Sequence, residues 1–263
     1  MMIFTDTHTH LYLKQFDEDR DAAVRRAIDR SVRYMLLPNI DRSSTDRMLD
    51  LCERHPRHCF PMMGLHPTSV DKNYRKELDH VSSMLETKRF YAVGEVGIDL
   101  YWDSTHIREQ KDAFRLQIKL AKEKGLPVVI HTRNAFDEIF HIVEEEYAPG
   151  LRGVFHCFTG NTSQAEKISQ LGFLMGIGGV LTFKNSGLDR VVKNISLEHI
   201  LLETDSPFLA PAPYRGKRNE SSYIPLIADK LAEIKGVDVA TIAQVTTENA
   251  MALFKLEANE QHA

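Results

Sequence analysis

The feature that most constrains this chain is an uninterrupted alternation of short β-rich runs with longer amphipathic ones, repeated eight times. The strand candidates span 3–7, 33–38, 59–64, 91–95, 128–131, 153–156, 173–177 and 200–204. Helical patterns follow each of them, at 17–31, 44–55, 74–87, 106–124, 135–147, 163–170, 188–194 and 223–235. Eight strand–helix units without a compositional break predict a parallel sheet closed on itself, an α/β TIM (β/α)8 barrel, for which about 250 residues is usual. An open doubly wound sheet is the alternative, and the even filling of the chain disfavours it. A ninth helix near 238–254 carries Ile242, Val245, Ala250 and Phe254 as apolar positions and is expected to pack as a C-terminal addition. Residues 1–256 are read as one barrel domain and 257–263 as a polar tail.

Composition narrows the function classes. Of 263 residues 43% are hydrophobic, enough for a large core, and 33 basic against 37 acidic residues leave a net charge of −4. A protein that tracks nucleic acid along an extended groove usually carries a basic excess, so a polyanionic substrate would have to be held locally, in a pocket. Cys52, Cys59 and Cys157 show no C-x-x-C spacing, which disfavours a disulfide framework or a thiolate zinc site. The start lacks a basic stretch followed by a long apolar run, and the most apolar segment, 171–183, is broken by four glycines. Neither a signal peptide nor a membrane span is expected, and a cytoplasmic monomer is the default reading.

In a (β/α)8 barrel the reacting side chains sit at the C-terminal ends of the strands. Five of the eight ends carry a metal-competent group. The first runs Asp6-Thr7-His8-Thr9-His10, where a spacing of two puts His8 and His10 on one side. The fourth ends at Glu95 among glycines, the fifth at His131, the sixth at His156, and the eighth at Asp205. A lone strand-end histidine is more often structural, but the hydrophobic pattern fixed these positions independently of the histidines. The remaining histidines (His55, His58, His80, His106, His141, His199 and His262) fall in helices, loops or the tail and are read as solvated. Cys157, next to His156, should point into the barrel wall by strand alternation.

These motifs resemble the TatD family of metal-dependent deoxyribonucleases, within the amidohydrolase-like barrels. The resemblance rests on T-D-T-H-T-H at 5–10, G-L-H-P at 64–67, G-E-V-G-I-D at 94–99 and P-V-V-I-H-T-R at 127–133. It continues with F-H-C-F-T-G at 155–160, E-T-D-S-P at 203–207 and R-G-K-R-N-E at 215–220. It implies two divalent ions, one held by His8, His10, Glu95 and Asp205 and one by Glu95, His131 and His156, with Glu95 shared. Many deaminase-like or dihydroorotase-like relatives place a carboxylated lysine where this chain has Glu95, which favours the nuclease branch. The chain departs from the family at Tyr12, where Asp or Asn is common, at the bulky Leu100-Tyr101-Trp102, and at Ser221, where Pro is common. None of the three is expected to touch a ligand.

Two cations roughly 3.5–4 Å apart can activate water and stabilise a leaving oxygen, and Asp205 is the candidate general base. Phosphodiester chemistry and family habit favour Mg, while four imidazoles favour Zn or Mn. Glu203 either orients a ligand from behind or is a buried structural carboxylate; Asp99 and Asp6 have the same two readings. His66, Arg133 and Arg215, with Lys217 and Arg218, either clamp phosphate or are solvated. The resemblance implies that Asn219 and Glu220 face the substrate. Tyr101, Trp102 and Phe158 either stack a base or pack the rim. The leading expectation is an exonuclease on single-stranded DNA or a 3′ end, with RNA as a further substrate. The alternatives are a metal-dependent ester or amide hydrolase, such as an aminoacyl-tRNA deacylase, and a non-catalytic metal-stabilised scaffold.

Overall fold

A computed structural model describes residues 2–102 and 104–257. The proposed tail, apart from Glu257, and His262 lie outside the described residues. Eight parallel strands are each followed by a helix. The strands are β1 (Phe4–Asp6), β2 (Val32–Pro38), β3 (Cys59–Met62), β4 (Val93–Asp99), β5 (Val128–Arg133), β6 (Gly153–Phe155), β7 (Leu174–Ile177) and β8 (Ile200–Leu202). The helices are α1 (Arg20–Asp29), α2 (Arg42–Arg54), α3 (Tyr74–Thr87), α4 (Ile107–Lys124), α5 (Phe136–Glu145), α6 (Thr162–Gln170), α7 (Leu188–Asn194), α8 (Ile224–Lys235) and the additional α9 (Val239–Phe254).

Hydrogen bonding runs in order through β1–β2–β3 and through β4 to β8. Single bridges join the two groups and close the barrel: Met63 pairs with Val93, and Thr9 with Ser206. The Thr7 N–H donates to the Leu202 carbonyl at 3.0 Å beside the second of these. Local chemistry sets the helix ends. Asp41 and Ser44 form a reciprocal cap on α2, Asn161 and Gln164 do so on α6, and Gly125 ends α4 at φ 63°.

Alternation divides the barrel interior into two layers. Leu36, Met62, Ala92, Val129, Val154 and Leu201 form an apolar plug, sealed from below by Ala250, Leu253 and Phe254 of α9 and by Leu256. Two residues beyond Val129, Val154 and Leu201 come His131, His156 and Glu203. The same inward-facing rows therefore change from hydrocarbon to polar groups on rising through the barrel. Among the described residues no helix is long and apolar enough to cross a membrane.

The largest departure from the expected elements is β4, which begins at Val93 and continues to Asp99, four residues past the expected end. Gly97 makes the extension possible. Its φ is +148°, and a Cβ there would stand 2.0 Å from the His131 carbonyl oxygen, so only glycine lets β4 lie against β5 at that height.

On the outside, an ionic cluster links the first unit to the last. Arg218 donates to Asp19 (2.7 and 2.8 Å) and to the Gln15 carbonyl, while Arg26 bridges Asp19 and Glu220. The Arg218 guanidinium holds the Asp19 carboxyl down at about 2, against 3.8 ordinarily. A folded value below the unfolded one means the stabilisation is complete above pH 3.8 and fades as the pH falls toward about 2. The gap in urea midpoint between wild type and Asp19→Asn should therefore be widest near neutrality and narrow below pH about 4; a gap independent of pH would refute this.

Candidate metal centre

The strand ends and the turns after them bring His8, His10, Glu95, His131, His156 and Asp205 to one place at the mouth of the barrel. His66, expected as a substrate contact, joins them from the turn after β3. Glu95 is the hub, and its two oxygens face different partners. Oε2 lies 3.1 Å from His8 Nε2 and 3.7 Å from His10 Nε2. Oε1 lies 2.6 Å from His131 Nδ1, 2.8 Å from His156 Nε2 and 3.3 Å from His66 Nε2. Asp205 Oδ1 closes the first side, 3.8 Å from His8 and 3.6 Å from His10.

Glu95 reaches this position because the β4–β5 register slips. Val93 opposes Val128 and Val96 opposes Ile130, so Gly94 and Glu95 together face the single residue Val129. The bulge shifts the phase of alternation, as bulges beside active sites commonly do. Asp205 is aimed by a different device: it lies three residues beyond β8, at φ 55°, and its N–H donates to the His8 carbonyl at 2.9 Å. Aspartate tolerates this left-handed conformation better than most residues.

Burial alone would raise the Glu95 carboxyl, but His156, His66 and His8 and the contact with His131 hold it well below the usual carboxylate range. Asp205 is likewise pushed up by burial and brought below its ordinary value by His10, His156 and His8. Both are thus anions at neutral pH. Burial lowers His8 and His66, favouring neutral rings with lone pairs available for a cation.

The donor set fits divalent cations. Nitrogen and carboxylate oxygen atoms converge within 4.8 Å in three overlapping groups: His8–His10–Glu95, His8–His156–Asp205 and His66–Glu95–His131. His8 Nε2 and His10 Nε2 face each other at 3.2 Å. Imidazoles gathered around an acceptor-only carboxylate suit a shared positive charge.

Groups behind the centre orient these ligands. The Tyr12 hydroxyl donates to the Pro38 carbonyl at 2.5 Å, so its contact with His10 Nδ1 at 2.9 Å must be an accepted hydrogen bond. His10 then carries its proton on Nδ1 and turns the Nε2 lone pair toward the centre. Tyr12, expected to touch no ligand, therefore touches and orients the candidate ligand His10. Asp99 Oδ2 lies 2.9 Å from His131 Nε2, leaving Nδ1 for the centre. Glu203 stands behind His156, its Oε1 3.3 Å from Nδ1 and accepting from the Cys157 N–H at 2.6 Å. Gly176 makes room for this carboxylate: a Cβ there would lie 2.0 Å from Glu203 Oε2. Asp6 accepts from the Thr204 N–H and hydroxyl and clamps the end of β1 to that of β8; burial, partly offset by Ser221 and Thr204, pushes its carboxyl up to about 7.

Several expectations are corrected. Asn219 is fully buried and donates to the Thr204 and Phe208 carbonyls, and Glu220 is bound to Arg26, so their polar groups hold the loop after β8. Arg218 belongs to the Asp19 cluster. Ser221 is not remote from the ligands, since its hydroxyl donates to Thr9 between His8 and His10. Phe158 is buried against Phe136 and can stack no base. Cys157 adopts φ 47°, which breaks the strand alternation and leaves it half-buried; burial and the charges of Asp205, Glu203 and Glu95 push its thiol up. His55, His58 and His80 are half-buried and hydrogen-bonded to Asp21, the Arg33 carbonyl and Thr45, not freely solvated. Arg133 and Arg215 remain exposed, lying over Tyr101 (3.8 Å) and Phe183 (4.0 Å).

Known proteins resemble this chain over nearly its whole length. A family model described as TatD related DNase matches residues 5–255. An uncharacterised metal-dependent hydrolase of Bacillus subtilis, YabD, is 38% identical over 97% of this chain and 100% of its own length. A 3′-5′ ssDNA/RNA exonuclease, TatD of Pectobacterium parmentieri, is 30% identical over 95% of this chain and 99% of its own. The crystal structure of YjjV, a TatD homologue of Escherichia coli, superposes with a TM-score of 0.91 at 30% identity, covering 97% of this chain and 98% of that one.

The tyrosine contact can be tested directly. Tyr12→Phe removes the acceptor for His10 Nδ1 and leaves the Pro38 carbonyl unpaired, at about 1–3 kcal/mol. The variant should melt lower and bind zinc roughly 10–100-fold more weakly by competition with a chromogenic chelator. Unchanged zinc affinity would remove Tyr12 from the centre.

Proposed function

The chain belongs to the TatD-related DNase family of metal-dependent hydrolases, and from that premise we propose that it hydrolyses phosphodiester bonds in single-stranded DNA, and in RNA, from a free 3′ end. The observation that carries this reading is the divided Glu95 carboxylate, one oxygen toward His8 and His10 and the other toward His131, His156 and His66. A carboxylate so placed can join two cation sites. The relative from Pectobacterium, similar over nearly its whole length, supports the substrate and the polarity.

Divalent ions at these two sites, magnesium in function, would supply Lewis acidity toward a phosphoryl oxygen and lower the pKa of water. The protein's own groups do the rest. His8, His10 and Asp205 define one site and His131 and His156 the other, with His66 able to serve as a further ligand or to donate to the phosphate. Asp205, whose carboxyl His10, His156 and His8 bring below its ordinary value, would take the proton of the attacking water. Arg133 and Arg215, exposed at the rim, are free to bind phosphates on either side of the scissile one. The polar layer is closed from below by the apolar plug, so the substrate enters only from the mouth. That geometry admits a chain end or a flexible single strand more readily than the middle of a duplex.

A 5′-labelled single strand should be shortened stepwise from its 3′ end in the presence of magnesium or manganese and left intact with a chelator. Asp205→Asn should lower the rate by about 10²–10⁴-fold. Turnover of an aminoacyl ester without degradation of the strand would overturn the proposal.

A further inference from the structure

Rising from His131 along β5, the chain reaches Arg133 two residues later, roughly 7 Å further toward the rim. Beside it, in the ladder, Asp99 pairs with Arg133, and the turn after Asp99 carries Tyr101 and Trp102. These rings do not pack into the protein: Tyr101 is 55% and Trp102 69% exposed, the latter the highest value among the exposed large apolar side chains of the described residues. They meet edge to face, centroids 5.0 Å apart, and the Arg133 guanidinium lies 3.8 Å from the Tyr101 centroid and 5.2 Å from that of Trp102. Tyrosine thus holds the cation over its face while most of the indole stays open to solvent.

The corner is tied to the centre. Asp99 uses Oδ1 to accept the N–H groups of Tyr101 (2.9 Å) and Trp102 (3.2 Å), and Oδ2 to hold His131 Nε2 (2.9 Å). The Asp99 backbone is fixed by Gln110, which donates to its carbonyl at 3.3 Å and accepts from its N–H at 2.9 Å. One carboxylate therefore sets both a ligand and the backbone of the aromatic turn. Exposed aromatic surface costs free energy in water, and here it stands beside a guanidinium at the mouth of a phosphodiesterase-like centre.

We infer that Trp102, Tyr101 and Arg133 form a subsite for one nucleotide of the substrate strand, the base stacking on the Trp102 indole and the phosphate held by Arg133. The inference rests on the nuclease reading and adds where the strand lies: along the β4–β5 side of the mouth. Because an aromatic face accepts any base, the subsite grips single strands with little sequence preference. It also disfavours duplex, whose bases are already stacked on each other.

Trp102 is the chain's single tryptophan, so fluorescence excited at wavelengths that tryptophan but not tyrosine absorbs reports on this corner alone. The purified metal-loaded protein should be titrated with a phosphorothioate thymidine pentanucleotide, which resists cleavage, and with an abasic sugar–phosphate pentamer of equal charge. The thymidine oligomer should quench the tryptophan, and the abasic one should not. By anisotropy of a labelled pentanucleotide, Trp102→Ala should bind roughly 5–150-fold more weakly, the range for one base–aromatic stack, with its metal content and melting temperature unchanged. Binding of the pentanucleotide without quenching, or equal affinity in Trp102→Ala, overturns the subsite even if the protein degrades DNA. Failure to bind or cleave any single strand overturns the nuclease reading and the subsite with it.

Discussion

Everything at the mouth of this barrel depends on a carboxylate taken out of water. Glu95 is 2% exposed, and an unpaired anion at that depth would neutralise itself by gaining a proton. Five imidazoles prevent it by surrounding the carboxylate. The arrangement works in both directions: Asp99 and Glu95 raise His131, and Glu95 and Glu203 raise His156, against the effect of burial, while burial and neighbouring rings lower His8 and His66. The remaining polar devices, Tyr12 on His10, Asp99 on His131 and Glu203 behind His156, keep those rings from turning to better partners.

The cluster stands on an apolar base. The apolar plug and α9 beneath it are continuous with the inward rows that end in ligands. A side chain lost from the plug would therefore loosen the base on which His131 and His156 stand. Glycines serve the same end at two points. Gly97 lets β4 approach β5 beside His131, and Gly176 leaves the space occupied by the Glu203 carboxylate. Both are positions where a methyl group would collide with the machinery and not with solvent.

The near-neutral charge of the chain, −4 overall, becomes intelligible in this setting. On the proposed reading, attraction for a polyanion would be concentrated in the candidate cation sites and in a few exposed groups such as Arg133 and Arg215, while Arg218 and Arg26 hold the first and last units together. A local grip of this kind suits a strand end presented to a pocket and does not require a basic groove.

The sequence by itself determined the barrel, the order of its elements and the residues at the mouth. Periods of 2 and 3.6 in hydrophobicity mark strands and helices wherever one face is buried, and residues at strand ends in a (β/α)8 barrel share one rim whatever their separation in the chain. His131 and His156 were legible on that ground, two residues beyond the plug. The tertiary structure alone decided what alternation cannot encode: the bulge that turns Glu95 inward, the left-handed residues Asp205 and Cys157, and the extension of β4 past Gly97. It also decided partners. Asn219 and Glu220 read like substrate contacts until Thr204, Phe208 and Arg26 are seen to occupy them, and Tyr12 read as a bystander until its hydroxyl is found between Pro38 and His10. A hydrogen bond depends on where two remote segments meet, and a one-dimensional pattern of polarity records only that each side chain is capable of making one.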